Sequence, residues 1–318
     1  MKKSLTLLLV LFVFSLFIIS CDSDLPILDS EVAVPNLDQT VPNPDLFIAQ
    51  SENTQASNRK ANNVKVKICH LTGNGEYNLI EVNQNAVAAH LAHGDIAHVY
   101  FLQGFEDNAD GWFDINSGWY GTATRVSSGP NGITSSVGDW HAIFEGDDDS
   151  APFTRFDGYV DTWPGTWSAE LDVYLDPTWG TSQGFDYSVA ATGSDGAHQR
   201  DFIFHVNNDA STGKLLVAGS NNTNFAPRED LENINHYEVT AAGWYTLQHM
   251  FYDDGGALAV DLNILDSGGN ILFTETRSDA GDVIATEIGG NRYGWFTFIN
   301  VDEGIGVDEQ EIFRNCAL

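Results

Sequence analysis

The chain has 318 residues, with 45 acidic against 14 basic side chains and a formal net charge of −31 at pH 7. So acidic a surface repels nucleic acids and anionic glycans, whose binding needs Lys and Arg to displace counterions. Nucleic acid is thereby excluded as a partner, while neutral glycans and divalent cations remain open. The length suits one large β domain plus a small module.

Lys2 and Lys3 precede an almost unbroken apolar run from Leu5 to Ile19, then Ser20 and Cys21. The run is short for a bilayer span and has the flanks of a signal peptide over residues 1–20. The tetrad Ile18-Ile19-Ser20-Cys21 resembles the lipobox of bacterial lipoproteins. That resemblance implies cleavage before Cys21, lipidation of Cys21 and a membrane partner held through the lipid. The expected location is the bacterial envelope, at the outer membrane or cell surface. Losing Lys2 and Lys3 deepens the net charge to −33.

Residues 21–63 read as a disordered acidic tether. Four of the nine prolines fall there, with no Gly or Trp and many Asp, Asn, Ser and Gln. No apolar period persists that could build a core.

Residues 64–98 read as a small ββα module. Val64–Ile68 alternates like a strand, Thr72-Gly73-Asn74-Gly75 is a turn, and Tyr77–Val82 is a second strand. Asn83 or Asn85 caps a short helix through Ala86–His93, which Gly94 ends. On that helix His90 and His93 stand at i and i+3, and Cys69-His70 lies on the hairpin. Thiolate plus imidazoles is the ligand set of a structural zinc ion, so Cys69, His70, His90 and His93 are candidate ligands. Adjacent strand residues face opposite ways, so Cys69 and His70 both ligate only at a bulge or a strand end. In a regular strand His70 drops out, and water or Asp95 takes its place. A disulfide from Cys69 to Cys316 is the competing use of the thiol. Ile68-Cys69-His70-Leu71-Thr72-Gly73-Asn74-Gly75 with Ala89-His90-Leu91-Ala92-His93-Gly94-Asp95 resembles a module of many secreted bacterial proteins, reading C-H-x-T-G-N-G then A-H-L-x-H-G-D. Relatives carry a second Cys soon after the Gly-Asp; this chain has none there, which leaves metal binding or pairing to Cys316.

Residues 99–318 hold all eight tryptophans and read as an all-β sandwich. Trp167, Ala169, Leu171, Val173 and Leu175 alternate with polar residues, as do Leu258, Val260, Leu262 and Ile264. Asp266–Asn270 is a hairpin turn, and Trp295–Ile299 is apolar on both faces, as in a central strand. Gly104-Phe105-Glu106 through Gly111-Trp112, with Ile305–Ile312 at the other end, resembles the ends of carbohydrate-binding modules and concanavalin A-like domains. The resemblance implies a jelly roll and a structural calcium held by Glu106 and Asp308. Gly243-Trp244-Tyr245-Thr246-Leu247-Gln248-His249 and Gly255–Val260 resemble a hairpin of laminin-G and concanavalin A-like sandwiches, with Trp244 in the core.

Trp119, Tyr120, Trp140, Trp163 and Trp179 lie beside turn residues and are candidates for stacking on a glycan ligand. The leading expectation is a non-catalytic, carbohydrate-binding surface lipoprotein. A glycoside hydrolase or polysaccharide lyase is the alternative, using Asp172, Asp201 and His205 on a concave polar face. Against it, the Glu-x-Asp-x-x-Glu strand of laminarinase-type enzymes is incomplete, since Leu175 stands where its third carboxylate belongs. A structural envelope protein is a further alternative. The lipid anchor has a direct consequence: Cys21→Ser moves the protein from the membrane pellet to the soluble fraction. Retention of that variant in the pellet contradicts the anchor.

Overall fold

A computed structural model of the chain describes residues 65–316, apart from 131, 149, 157, 159, 161, 164, 194 and 285–287. The signal peptide expected over 1–20, the lipidation expected at Cys21 and the tether expected over 21–63 lie outside the described residues.

The module forms as the residue pattern dictates, with one addition. Lys65–Leu71 pairs antiparallel with Tyr77–Asn83 in unbroken register, from Lys65 opposite Asn83 to Leu71 opposite Tyr77. Asn83 accepts the Asn85 N–H at 3.0 Å and caps a 3₁₀ turn, Gln84–Ala86, that leads into the helix Val87–Ala92. Gly94 takes φ 97°, a left-handed conformation that a side chain resists. The chain thereby turns back, and Ile96–Ala97 pairs with the free side of Lys65–Leu71. The buried cluster is only Ile68, Val82 and Val87. So small a core is weak alone.

Two antiparallel sheets form the sandwich. In the first, called the terminal sheet because it carries both ends of the domain, the order is Ile271–Val283, Ala257–Leu265, Gly243–Asp254, Trp167–Leu175, Ile305–Arg314, Trp140–Glu145, Thr122–Ser127. Val99–Gln103 pairs with the far part of Ile305–Arg314. The opposite sheet runs Tyr237–Val239, Leu215–Asn221, His198–Asn208, Gly184–Thr192, Asn291–Asn300, Phe153–Thr154, Trp112–Phe113. This is the expected jelly-roll sandwich. The alternation over 167–175 is realised: Trp167, Ala169, Leu171, Val173 and Leu175 are each at most 1% exposed. Each of Leu171, Val173 and Leu175 contributes about 1.5–3 kcal/mol by leaving water.

One core joins the two sheets. Phe296 is its hub, with ring centroids 4.8 Å from Tyr187, 5.6 Å from Phe185, 5.7 Å from Phe144 and 6.0 Å from Trp112. His249, on the terminal sheet, donates through Nε2 to the Phe202 carbonyl of the opposite sheet at 3.1 Å, and burial holds its pKa down to about 3. Trp244, expected in the core, faces outward instead: it pairs across strands with the outward Tyr174 and donates to the Thr134 carbonyl at 2.6 Å.

The pairing of Trp167–Leu175 with Ile305–Arg314 contains a bulge. Glu170 opposes Glu311 while Asp172 opposes Asp308, so one strand advances by an extra residue, and Glu309 sits at φ 40°. The bulge turns both Val307 and Ile312 inward, although they differ in parity and would face opposite ways in a regular strand.

Cys69 is bonded to Cys316. This corrects the expectation of a Cys69 zinc ligand, since the sulfur is consumed by the crosslink. The strand is regular, as the alternation argument requires. It is Cys69, however, and not His70, that faces away from the helix, toward the end of the last strand.

The hub makes a quantitative demand. Phe296→Ala lowers the free energy of denaturant unfolding by about 3–5 kcal/mol. A loss below about 1 kcal/mol contradicts a core shared through that ring.

Candidate functional site

Inward packing of the opposite sheet decides which residues it presents outward. Phe185, Tyr187 and Val189 enter the core from one strand, Phe202, Phe204 and Val206 from the next, and Phe296 from a third. Their alternates form cross-strand rows on the outer face. One row is Tyr293, Ala190 and Asp201; the next is Phe113, Phe153, Trp295, Ser188 and Ile203; a third is Phe298, Asp186 and His205.

Asp201 organises the first row. Its carboxylate accepts from Tyr293 Oη at 2.9 Å, Ser188 Oγ at 3.1 Å, His198 Nε2 at 3.0 Å and Asn222 Nδ2 at 3.2 Å. Four donors fill the acceptor capacity of an ionised carboxylate. Asp201 therefore orients its neighbours and has no lone pair left to act as a base. Tyr293 and His198 lie with parallel rings, 6.2 Å apart.

The second row carries an aromatic platform. Trp119 reaches it from a loop, 4.7 Å from Phe153, 5.1 Å from Tyr120 and 6.4 Å from Trp295. Both indole N–H groups are anchored: Trp119 donates to the Ala151 carbonyl at 3.1 Å and Trp295 to Ser150 Oγ at 3.0 Å. Trp119, Tyr293 and Trp295 are half-buried, while Tyr120 and His198 are exposed. A cleft of 340 Å³ adjoins the platform, lined among others by Asp147, Asp148, Ser150, Phe298 and Asn300.

His205 sits in the third row. Its Nδ1 donates to Asp186 at 2.9 Å, so its Nε2 accepts from Ser220 Oγ at 2.7 Å. The order matches that of a catalytic triad. Both His205 and Ser220 are 0% exposed, however, and Phe225 covers the imidazole at 4.9 Å. The relay satisfies buried polar groups and presents no accessible nucleophile.

Of the residues singled out in the sequence, the structure brings together Trp119 and Tyr120, and Asp201 lies two rows from His205 on the same face. Asp172 does not join them, because its strand belongs to the terminal sheet; the combined catalytic face of Asp172, Asp201 and His205 does not form. Trp163 is only 3% exposed, stacked on Trp167 in the core, which leaves no face for a sugar. Trp140 belongs to the terminal sheet, with the Arg125 guanidinium 3.5 Å from its ring centroid. Trp179 packs against the core beside Phe185. Phe113, Phe153, Tyr293 and Trp295 were not singled out. Tyr293 and Trp295 carry a signal in the alternation Tyr293-Gly294-Trp295-Phe296, once Phe296 is known to point inward.

Glu106 and Asp308 both clamp one loop. Glu106 accepts the Asp139 and Trp140 N–H groups at 2.9 and 3.1 Å; Asp308 accepts those of Ser136 and Val137 at 2.9 and 3.2 Å. Backbone donors thus take the place assigned to calcium. Among the described residues, neither acid joins a convergent group of three metal-ligating side chains.

Asp308 belongs to an acidic row on the outer face of the terminal sheet. Burial and the nearby Glu309 and Asp172 push its pKa up to about 8. Glu311 rises to about 8 through burial, Glu170 and Glu309, and Glu309 to about 7 through burial, Asp172 and Glu106. A carboxyl whose folded pKa is raised holds its proton longer folded than unfolded, so its contribution to stability is lost as pH rises through the folded value. Burial lowers the pKa of His98, His141 and His249, which act in the opposite sense, but only below their ordinary value of 6.5. Between pH 6.5 and 8 the acids therefore dominate. The melting temperature falls across that window, and Glu311→Gln reduces the fall. A flat or rising profile contradicts the coupled acidic row.

No family model and no curated protein matches the chain. Among solved structures it is similar to the CBM2 module of the evolved Dit of Lactobacillus casei BL23 phage J-1, at 12% identity over 68% of this chain and 94% of that one, with a TM-score of 0.38. It is similar also to the Lotus tetragonolobus seed lectin, at 9% identity over 66% and 96%, with a TM-score of 0.37. A further similarity is to the Emp47p carbohydrate recognition domain, at 6% identity over 68% and 95%, with a TM-score of 0.35. At such values the likenesses carry no functional argument.

Proposed function

We propose that this protein is an envelope-anchored, non-catalytic lipoprotein that binds a neutral glycan on the outer face of the opposite sheet. The observation that carries the reading is the platform of Trp119, Tyr120, Tyr293 and Trp295, with its anchored indoles and an Asp201-centred polar set beside it. Aromatic faces stack on the C–H surfaces of pyranose rings, and fixed polar groups at their edge select hydroxyls. His198 and Asn222, both exposed, are those edge groups. The anchored side chains lose little further freedom on binding, so less of the contact energy is spent on ordering them.

Charge selects the glycan class. At −33 after removal of the signal peptide, the chain repels uronic-acid and sulfated polymers. Two features favour binding over hydrolysis: Asp201 is saturated with donors, and the Asp186–His205–Ser220 relay is closed to solvent. The lipid on Cys21 and the tether over 21–63 would present this face to polysaccharide outside the cell.

A glycan array combined with a reducing-end assay tests the reading. Retention on at least one neutral polysaccharide is expected, with no release of sugar. Trp295→Ala weakens binding by about two- to tenfold, the worth of one aromatic stacking contact. Affinity unchanged in Trp295→Ala and in Tyr293→Ala, or release of reducing ends, contradicts it.

A further inference from the structure

The module carries a second site, on residues that the glycan reading leaves unused. We propose that His70, His90 and Asp95 bind a divalent transition-metal ion, with zinc the best match to the ligand set.

The site follows from alternation and one turn. Because Lys65–Leu71 is regular, Cys69 and His70 face opposite ways; Cys69 goes to the crosslink, and His70 faces the helix. His90 lies in the last turn of that helix. The left-handed Gly94 then folds the chain back, so that the Asp95 N–H donates to the His90 carbonyl at 3.3 Å. The Asp95 carboxylate lands between the two rings. His70 Nδ1 is 2.9 Å from Asp95 Oδ2 and 3.0 Å from Oδ1, and His90 Nδ1 is 2.6 Å from Oδ2. The rings meet edge to face, with centroids 5.8 Å apart and planes at 83°. The candidate ligand atoms all lie within 4.8 Å of one another.

These distances are close to those of a coordination shell. A tetrahedral ion with bonds of about 2.0–2.1 Å spaces its ligand atoms roughly 3.3 Å apart. The required expansion, about 0.3–0.7 Å, is available, because the His70 and His90 side chains are 42% and 29% exposed. Asp95 is the fixed point: its side chain is 1% exposed and accepts the Leu71 N–H at 2.8 Å. On binding, each neutral ring moves its proton from Nδ1 to Nε2, and the freed Nδ1 lone pair coordinates. The exposed side leaves a fourth position for water. Two imidazole nitrogens with one carboxylate favour zinc, nickel or copper over calcium or magnesium. His93 is exposed and takes no part, so the ligand set differs from the one its i, i+3 spacing suggested.

Such an ion would reinforce a unit whose buried cluster is three side chains. The competing account is that Asp95 only accepts hydrogen bonds from the two imidazoles and Leu71. Calorimetric titration of zinc chloride into the full mature chain, oxidised and stripped by chelator, separates the two. One zinc per chain is expected. His70→Gln and His90→Gln should each weaken it by more than the roughly 10–100-fold typical of losing an outer-shell partner. His93→Gln should leave it unchanged. His70→Gln, the more exposed position, should melt like the parent without zinc, which separates ligand loss from misfolding. Cobalt(II) in place of zinc should give visible absorption that His90→Gln abolishes. Absence of stoichiometric binding, or binding indifferent to His70→Gln and His90→Gln, overturns the site.

Discussion

Phe296 packs against Tyr187 and Phe185 within its own sheet and against Phe144 across the sandwich, and the sidedness of the opposite sheet follows from that contact. With Phe296 inward, strand alternation sends Trp295 outward; Gly294 then points inward and Tyr293 outward again. Gly294 has to be glycine, because a Cβ there would come within 2.8 Å of the Tyr187 hydroxyl and the Phe156 ring. The platform is therefore a consequence of the core. Asp201 reaches the same face by the same rule, one residue before the inward Phe202. Its hydrogen bonds then orient the tyrosine and histidine beside it at the edge of the platform.

The crosslink between Cys69 and Cys316 joins the start of the described chain to its end. It draws the module against the terminal sheet, where the Lys67 ammonium opposes only part of the upward push that burial and neighbouring carboxylates give Glu170 and Glu311. The Arg314 N–H donates to the His98 carbonyl at 2.8 Å, and His98 packs on Phe313 at 5.0 Å, so the junction has backbone and ring contacts beyond the disulfide. The module, a three-stranded sheet of its own, is thus joined to the last strand of the terminal sheet, whereas the platform lies on the opposite sheet. The same crosslink consumes the thiolate, and the imidazoles of His70 and His90 meet Asp95 instead.

Period-two patterning made the fold class and the strand Trp167–Leu175 legible in the sequence, because inward Trp, Leu and Val alternate there with outward acids. The pattern was silent wherever pairing had to be known. Asp172 and Asp201 looked like neighbours on one face, yet they sit on different sheets. Trp163 looked like a loop residue beside Pro164 and Gly165, yet its indole lies under Arg314 and over Trp167. Trp295–Ile299 read as apolar on both faces, which hid the outward direction of Trp295. One further signal was present and unread: Val307 and Ile312 are both apolar but differ in parity, and only a bulge such as that at Glu309 brings both into the core. Asp95 entered the sequence reading as a fallback ligand, because the turn at Gly94 that aims it between the rings is a backbone property.

The central proposal is that the outer face of the opposite sheet meets the glycan. Side-chain NMR of the eight tryptophan indoles during titration with soluble neutral oligosaccharides tests it most directly. The account predicts that the Trp119 and Trp295 signals shift saturably, while those of buried Trp163 and Trp167 stay in place. Saturable shifts confined to Trp140 and Trp244, on the acidic terminal sheet, would contradict it.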